Sequence, residues 1–185
     1  VKGVKLIFAH DTEISLANAA ALVNTGRGGE DLPSVAALDD FVTTWQWSGE
    51  RTHDQAEFDG VLRLRARLGQ LWTMTKDEAA ELINALLRET NALPQLVKHD
   101  QWDYHLHATA PDAPLADRIA VEVALAFSDV IRFDQLDRLR PCSADDCDGV
   151  LVDLSKNRSR RFCSTSCANR THVAAYRERH AARPG

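Results

Sequence analysis

The sequence predicts a mainly helical domain that carries one small β-hairpin, followed by a small C-terminal module organised by cysteines. Three observations carry that expectation. Apolar residues recur three or four apart through most of residues 1–139. One stretch around Tyr104 switches to a period of two. The four cysteines of the 185-residue chain all fall between Cys142 and Cys167, in two close pairs.

The elements follow in order. Asp11 or Thr12 is placed to open a helix through "EISLANAAALVNT", which Gly26 closes. "GRGGEDLP" reads as a loop, and Ser34 caps a second helix that turns Val35, Leu38, Phe41 and Trp45 inward. Thr52 with Gln55 gives a capping box for a third helix, with Phe58, Val61, Leu64, Leu68 and Leu71 on its core face. Thr75 with Glu78 opens a fourth, burying Leu82, Ile83, Leu86 and Leu87. "QLVK" and "WDYHLHA" then form the hairpin around "HDQ". Trp102, Tyr104, Leu106 and Ala108 alternate with Asp103, His105 and His107, as in a half-buried strand whose histidines take the polar face. A long helix returns through "DAPLADRIAVEVALAFSDVIRF", with Leu115, Ile119, Val123, Phe127 and Val130 or Ile131 inward.

Charge divides the chain at the same place as the cysteines. Residues 1–139 carry 13 Lys/Arg against 22 Asp/Glu, a net −9, whereas residues 140–185 carry 9 against 5, a net +4. A basic tail on an acidic body suits a polyanionic partner. The domain boundary is therefore placed between 139 and 140. The 44% apolar content is ample for a core. No apolar run approaches the roughly 20 residues of a membrane helix, which reads as a soluble, cytoplasmic protein.

The cysteines are spaced Cys142-x4-Cys147, fifteen residues, then Cys163-x3-Cys167. Two pairs around such an insert can surround one tetrahedral Zn2+, with all four residues as ligands. Disulfides would need an oxidising compartment, and a redox pair would be C-x-x-C. Iron is the lesser metal alternative. A structural zinc supplies about 10–16 kcal/mol of apparent binding free energy, enough to fold a segment too small for its own core. Between the pairs, Val150 and Val152 alternate with Leu151 and Asp153, "SKNRS" turns, and Arg160-Arg161-Phe162 returns, so a hairpin is expected. "STSCANRTHVAAYRERHAAR" follows as a helix capped by Ser164 or Ser166, with Cys167 in its first turn. Knuckle, hairpin and ligand-bearing helix make a treble-clef-like order.

These residues carry a resemblance. The cysteine spacing, "VDLSKNRSRRFCSTSCANR" and the trailing "AAYRER" resemble the CGNR-type zinc fingers of bacterial proteins. Those fingers follow a helical region called the ABATE domain, to which "ISLANAAALVNT" and "HLHATAPDAPLADRIA" are similar. The chain departs from the signature at Cys167-Ala168-Asn169-Arg170, where Ala replaces Gly. The resemblance implies a stress-induced transcription regulator whose finger binds DNA.

The cations agree with that implication. Lys156, Arg158, Arg160 and Arg161 crowd the expected turn, and Arg170, Arg177 and Arg179 continue along the helix, with Asn169 and His172 as polar additions. Each has a structural alternative: Arg170, for example, could pair with Asp153 or offset the charge of a four-thiolate centre. A protein-interaction module using the same basic knob is the second functional class, and RNA is open beside DNA. A homodimer would supply the base contacts that one compact finger lacks. In the body, His105 and His107 lie two apart on one strand and could share a small-molecule effector or a metal, and Trp45, Trp47, Trp72 and Trp102 could line a sensory pocket. No phosphate loop, nucleophile elbow or zinc-protease signature is present, so an enzyme is not expected; its best residues would be His10, His105 and His107.

Overall fold

The computed structural model describes residues 8–99 and 102–181. Its elements run α1 (His10–Asn24), α2 (Val35–Thr44), α3 (Gln55–Leu68), α4 (Lys76–Glu89), β1 (Gln95–His99), β2 (Trp102–His107), α5 (Leu115–Arg132), β3 (Leu139–Pro141), β4 (Val150–Val152) and α6 (Thr165–Ala181). The fold is mainly helical with two small antiparallel hairpins, β1–β2 and β3–β4.

Helix α5 is the axis of the body. Leu115, Ile119, Val123, Phe127 and Val130 are all at most 1% exposed, and α1, α3 and α4 pack around them. Phe58, Val61, Leu64, Leu68 and Leu71 are buried as the spacing requires, together with Ile83 and Leu86 of α4 and Leu38 and Phe41 of α2. Ser34 accepts from the Ala37 N–H, and Thr75 with Glu78 forms a complete capping box.

Two helix starts differ from expectation. The third helix is capped by Asp54, which accepts from the Glu57 N–H, while Glu57 reaches back to the N–H groups of Thr52 and His53. Gln55 instead donates to Asp59. Asp54, two residues nearer the helix than Thr52, takes the cap in place of the Thr52–Gln55 pair. Helix α1 begins at His10 after Ala9, which has no side chain able to cap; Thr12 donates across to Asp129 of α5 instead.

The larger correction concerns the cysteine module. Val150–Val152 pairs with Leu139–Pro141, in the register Leu139↔Val152 and Pro141↔Val150, and not with Arg160–Phe162. All three strand residues are buried, because β4 lies against α1 and places Val150 and Val152 in the same core as the helices. Trp72 donates its indole N–H to the Leu151 carbonyl at 2.9 Å and meets Phe127 edge-on. The strand that leads out of the metal-binding loop is thus built into the helical body.

One buried cation shapes the opposite end. Arg118 donates to the carbonyls of Ser48 (3.2 Å), Glu50 (2.7 Å) and Ala113, tying the loop after α2 to the start of α5. Gly49 sits beneath it at φ +96°, where a Cβ would come within 2.7 Å of the guanidinium and of the Pro111 carbonyl oxygen. This clamp fixes Trp47, which is 9% exposed. No helix among the described residues is long and apolar enough to cross a membrane.

Candidate metal centre

Cys142 leaves β3, Cys147 lies in the loop that returns to β4, Cys163 precedes α6, and Cys167 occupies its first turn. The loop is closed by Cys142 N–H donating to the Gly149 carbonyl and Cys147 N–H to that of Ala144. Ser164 caps α6 by accepting from the Cys167 N–H. The four sulfurs consequently lie within 4.8 Å of one another, with Cys147–Cys163 at 3.7 Å and Cys163–Cys167 at 3.6 Å.

Those distances decide the chemistry. A tetrahedral ion with bonds of about 2.3 Å to sulfur has sulfur–sulfur edges of about 3.8 Å. A disulfide would need roughly 2.05 Å. The thiols are unbridged, two of the sulfur–sulfur distances match such an edge, and the four together could hold one metal ion. Gly149 leaves the room: a Cβ there would stand 3.1 Å from the Cys163 sulfur and 3.2 Å from that of Cys147. Among the described residues no other group of three or more His, Cys, Asp or Glu gathers as closely.

The surroundings favour the thiolate form at some positions and oppose it at others. N–H groups of Gly149, Cys163 and Arg170 point at the sulfurs of Cys147, Cys142 and Cys167, each at 3.4 Å. Ser164 holds the Cys167 thiol down to about 7, whereas burial pushes Cys147 and Cys163 up. A cation in the cage offsets the burial cost of all four thiolates.

Arg170 does not reach Asp153. It grips Asp146 with two donors, at 3.1 and 3.2 Å, and the same guanidinium contacts Cys167, so it braces the first cysteine loop against α6. Asp153 is the residue that composition did not single out. It is 0% exposed and accepts from the Ser155 N–H and hydroxyl and from the Arg160 N–H, and it pairs with Arg140 at 3.2 Å. Burial works against its charge, but these donors outweigh burial and hold it below the ordinary carboxylate range. Buried Arg138 fixes the same turn through the carbonyls of Asp153 and Ser155.

Around that turn the predicted cations divide. Arg158, at φ +51°, pairs with Asp137 and donates to Gln135, so it anchors the turn to the body. Arg160 donates to the carbonyls of Phe162 and Cys163, and Arg161 lies over the Phe162 ring. His172 meets that ring edge-on at 5.9 Å. Lys156, Arg160, Arg161, Arg177 and Arg179 are exposed and form no ion pair among the described residues, and Asn169 is exposed beside them.

The histidine pair is inverted relative to expectation. Tyr104 is 70% and Leu106 43% exposed, while His105 and His107 turn inward with their Nε2 atoms 2.9 Å apart. They line a cavity of about 520 Å³ between α1, the end of α2, β2 and α5. Trp45 and Trp47 line it too; Trp72 is occupied at β4, and the Trp102 side chain is outside the described residues. His10 is exposed and does not join the cavity.

Two family profiles match the chain. ABATE, described as "Putative stress-induced transcription regulator", matches residues 16–132, and the CGNR zinc finger matches residues 138–180. No curated protein sequence matches it.

Proposed function

The chain belongs to the ABATE family and carries a CGNR zinc finger, and from that premise we propose that it is a zinc-dependent, DNA-binding transcription regulator whose helical body receives an effector. The observation that carries this reading is the set of exposed cations on the turn after β4 and along α6 that form no ion pair among the described residues. Protein carboxylates neutralise Arg158 and Arg170, so those two hold the frame. Lys156, Arg161, Arg177 and Arg179 are exposed, and Arg160, which donates to two backbone carbonyls, meets no carboxylate among the described residues; phosphates are the fitting counter-anions.

Zinc is the ion we assign to this donor set. Four sulfurs at tetrahedral spacing favour a soft or borderline ion, and zinc brings no redox chemistry to a structural position. Exposed Leu96, Tyr104 and Leu106 on the outer hairpin face support pairing with a second copy, which would double the number of base contacts.

The test uses the full chain, because β4 belongs to the core of the body. Binding to a fluorescent duplex is followed against salt. With five cations at phosphates, log K falls against log salt with a slope of about −4.5. Replacing Lys156, Arg161 and Arg177 by Ala flattens the slope by roughly 2 to 3 units. Salt-independent binding, or a slope unchanged in the triple variant, contradicts the proposal and favours a basic knob that docks on an acidic protein.

A further inference from the structure

The cavity behind the histidine pair has walls of uneven chemistry. Asp11 of α1 and Glu122 of α5 both face it, and neither accepts a hydrogen bond or forms an ion pair among the described residues. The third carboxylate, Asp129, is already used: Thr12 and Arg132 both donate to it. Arg132 is therefore spent on Asp129 and is largely exposed. The two imidazoles face each other through Nε2, so one ring must donate to the other and at least one is neutral.

Two indoles complete the enclosure. Trp45 is half-buried, and Trp47 is the one described residue with a fully buried side-chain polar atom that finds no partner, its indole N–H. Two carboxyl groups that share one cavity and have no hydrogen-bond or ion-pair partner among the described residues call for a counter-charge. Indole faces attract cations most strongly of the aromatic rings, and carboxylates add charge. A volume of about 520 Å³ is within the range of small-molecule sites.

We propose that this cavity binds a small organic cation, an ammonium or quaternary ammonium group with an apolar body, whose charge sits between Asp11 and Glu122 and against the faces of Trp45 and Trp47. This rests on the reading of the helical body as the effector-binding part, and it gives that effector a chemical class. Ile14, Leu125 and Ala126 supply the apolar wall for the ligand's body.

The route to the regulator is mechanical. The cavity is bounded by α1 and α5, and α1 holds β4 through Asn24. A ligand that draws α1 toward α5 acts on the strand leading from the metal-binding loop.

Calorimetric titration of the full chain with benzyltrimethylammonium tests the proposal, with phenylacetate and benzyl alcohol as its anionic and neutral counterparts. The cation is expected to bind at least tenfold more tightly than either. Asp11→Asn should weaken it tenfold or more, as should Trp45→Leu, while phenylacetate is unaffected or gains. Variants are compared only where their thermal transition shows them folded; Glu122→Gln, which removes one of the two unpartnered carboxyl groups and leaves Asp11 in place, supplies a stable variant that should also bind the cation more weakly if the others do not fold. A preference below tenfold, tighter binding of phenylacetate, heat from none of the three probes, or undiminished cation binding in a folded variant overturns it. Because no DNA is present, failure here leaves the salt-dependent DNA test standing, and failure of that test leaves this one standing.

Discussion

The side-chain amide of Asn24 pairs with both backbone groups of Val150, donating to its carbonyl at 2.8 Å and accepting from its N–H at 2.7 Å. One side chain at the end of α1 thereby imitates a neighbouring strand for β4. The amide stands next to Gly149, where a Cβ would meet it at 3.2 Å. Helix, strand and cysteine loop share a single junction.

Removing that amide should loosen the finger from the body. Asn24→Ala leaves two backbone groups of a buried residue without partners, a loss of about 2–4 kcal/mol. Urea titration of parent and variant measures it. The same welding predicts one cooperative transition in the parent, with chelator lowering the midpoint of helix unfolding as well as that of the finger.

Asp153 should govern the basic turn. Asp153→Asn removes the charge that Arg140 pairs with and weakens acceptance from Ser155 and Arg160. Faster amide exchange at Ser155 and Arg160 and weaker DNA binding are expected, with zinc content unchanged. Its lowered pKa sets the sign with pH. The stabilisation is present above the ordinary aspartate value of 3.8 and is lost as acid protonates the folded carboxylate.

Glu122 has the opposite sign. Burial, with Asp11 adding repulsion and Arg118 opposing it, pushes its carboxyl from 4.5 up to about 7. The folded protein holds that proton more tightly than the unfolded chain, so stability falls as pH rises from about 4.5 to 7. The shift corresponds to about 3 kcal/mol. Denaturation of parent and Glu122→Gln at pH 5 and pH 8 should give nearly equal stabilities at the lower pH and a more stable variant at the higher. Asp11, His105, His107, Arg118 and Asp129 surround the group and are common to both proteins. Benzyltrimethylammonium, whose charge is permanent, should bind more tightly at pH 8 than at pH 6.

Much of this was legible in sequence where the signal is local. The Thr75–Glu78 box, the Ser34 cap and the core faces of α3 and α5 are written within one or two turns. The cysteine spacing likewise announces a cage. Alternation from Trp102 to His107 identified a strand but not its inward face, because a period of two is blind to direction. Here the body presents indoles and carboxylates to β2, and the imidazoles face them. The partner of β4 was missed because Leu139-Arg140-Pro141 is a poor strand by composition. Asn24 could not be read at all, since its partner lies 126 residues away. Asp153 looked like part of an alternating strand, and only its buried donors show what it does.

Metal analysis of the purified full chain tests the central claim most directly. One zinc per chain is predicted, falling to none in Cys163→Ser with the loss of DNA retention. A chain that is purified under reducing conditions, folds, and carries no metal would contradict the account, as would a Cys163→Ser variant that keeps its zinc.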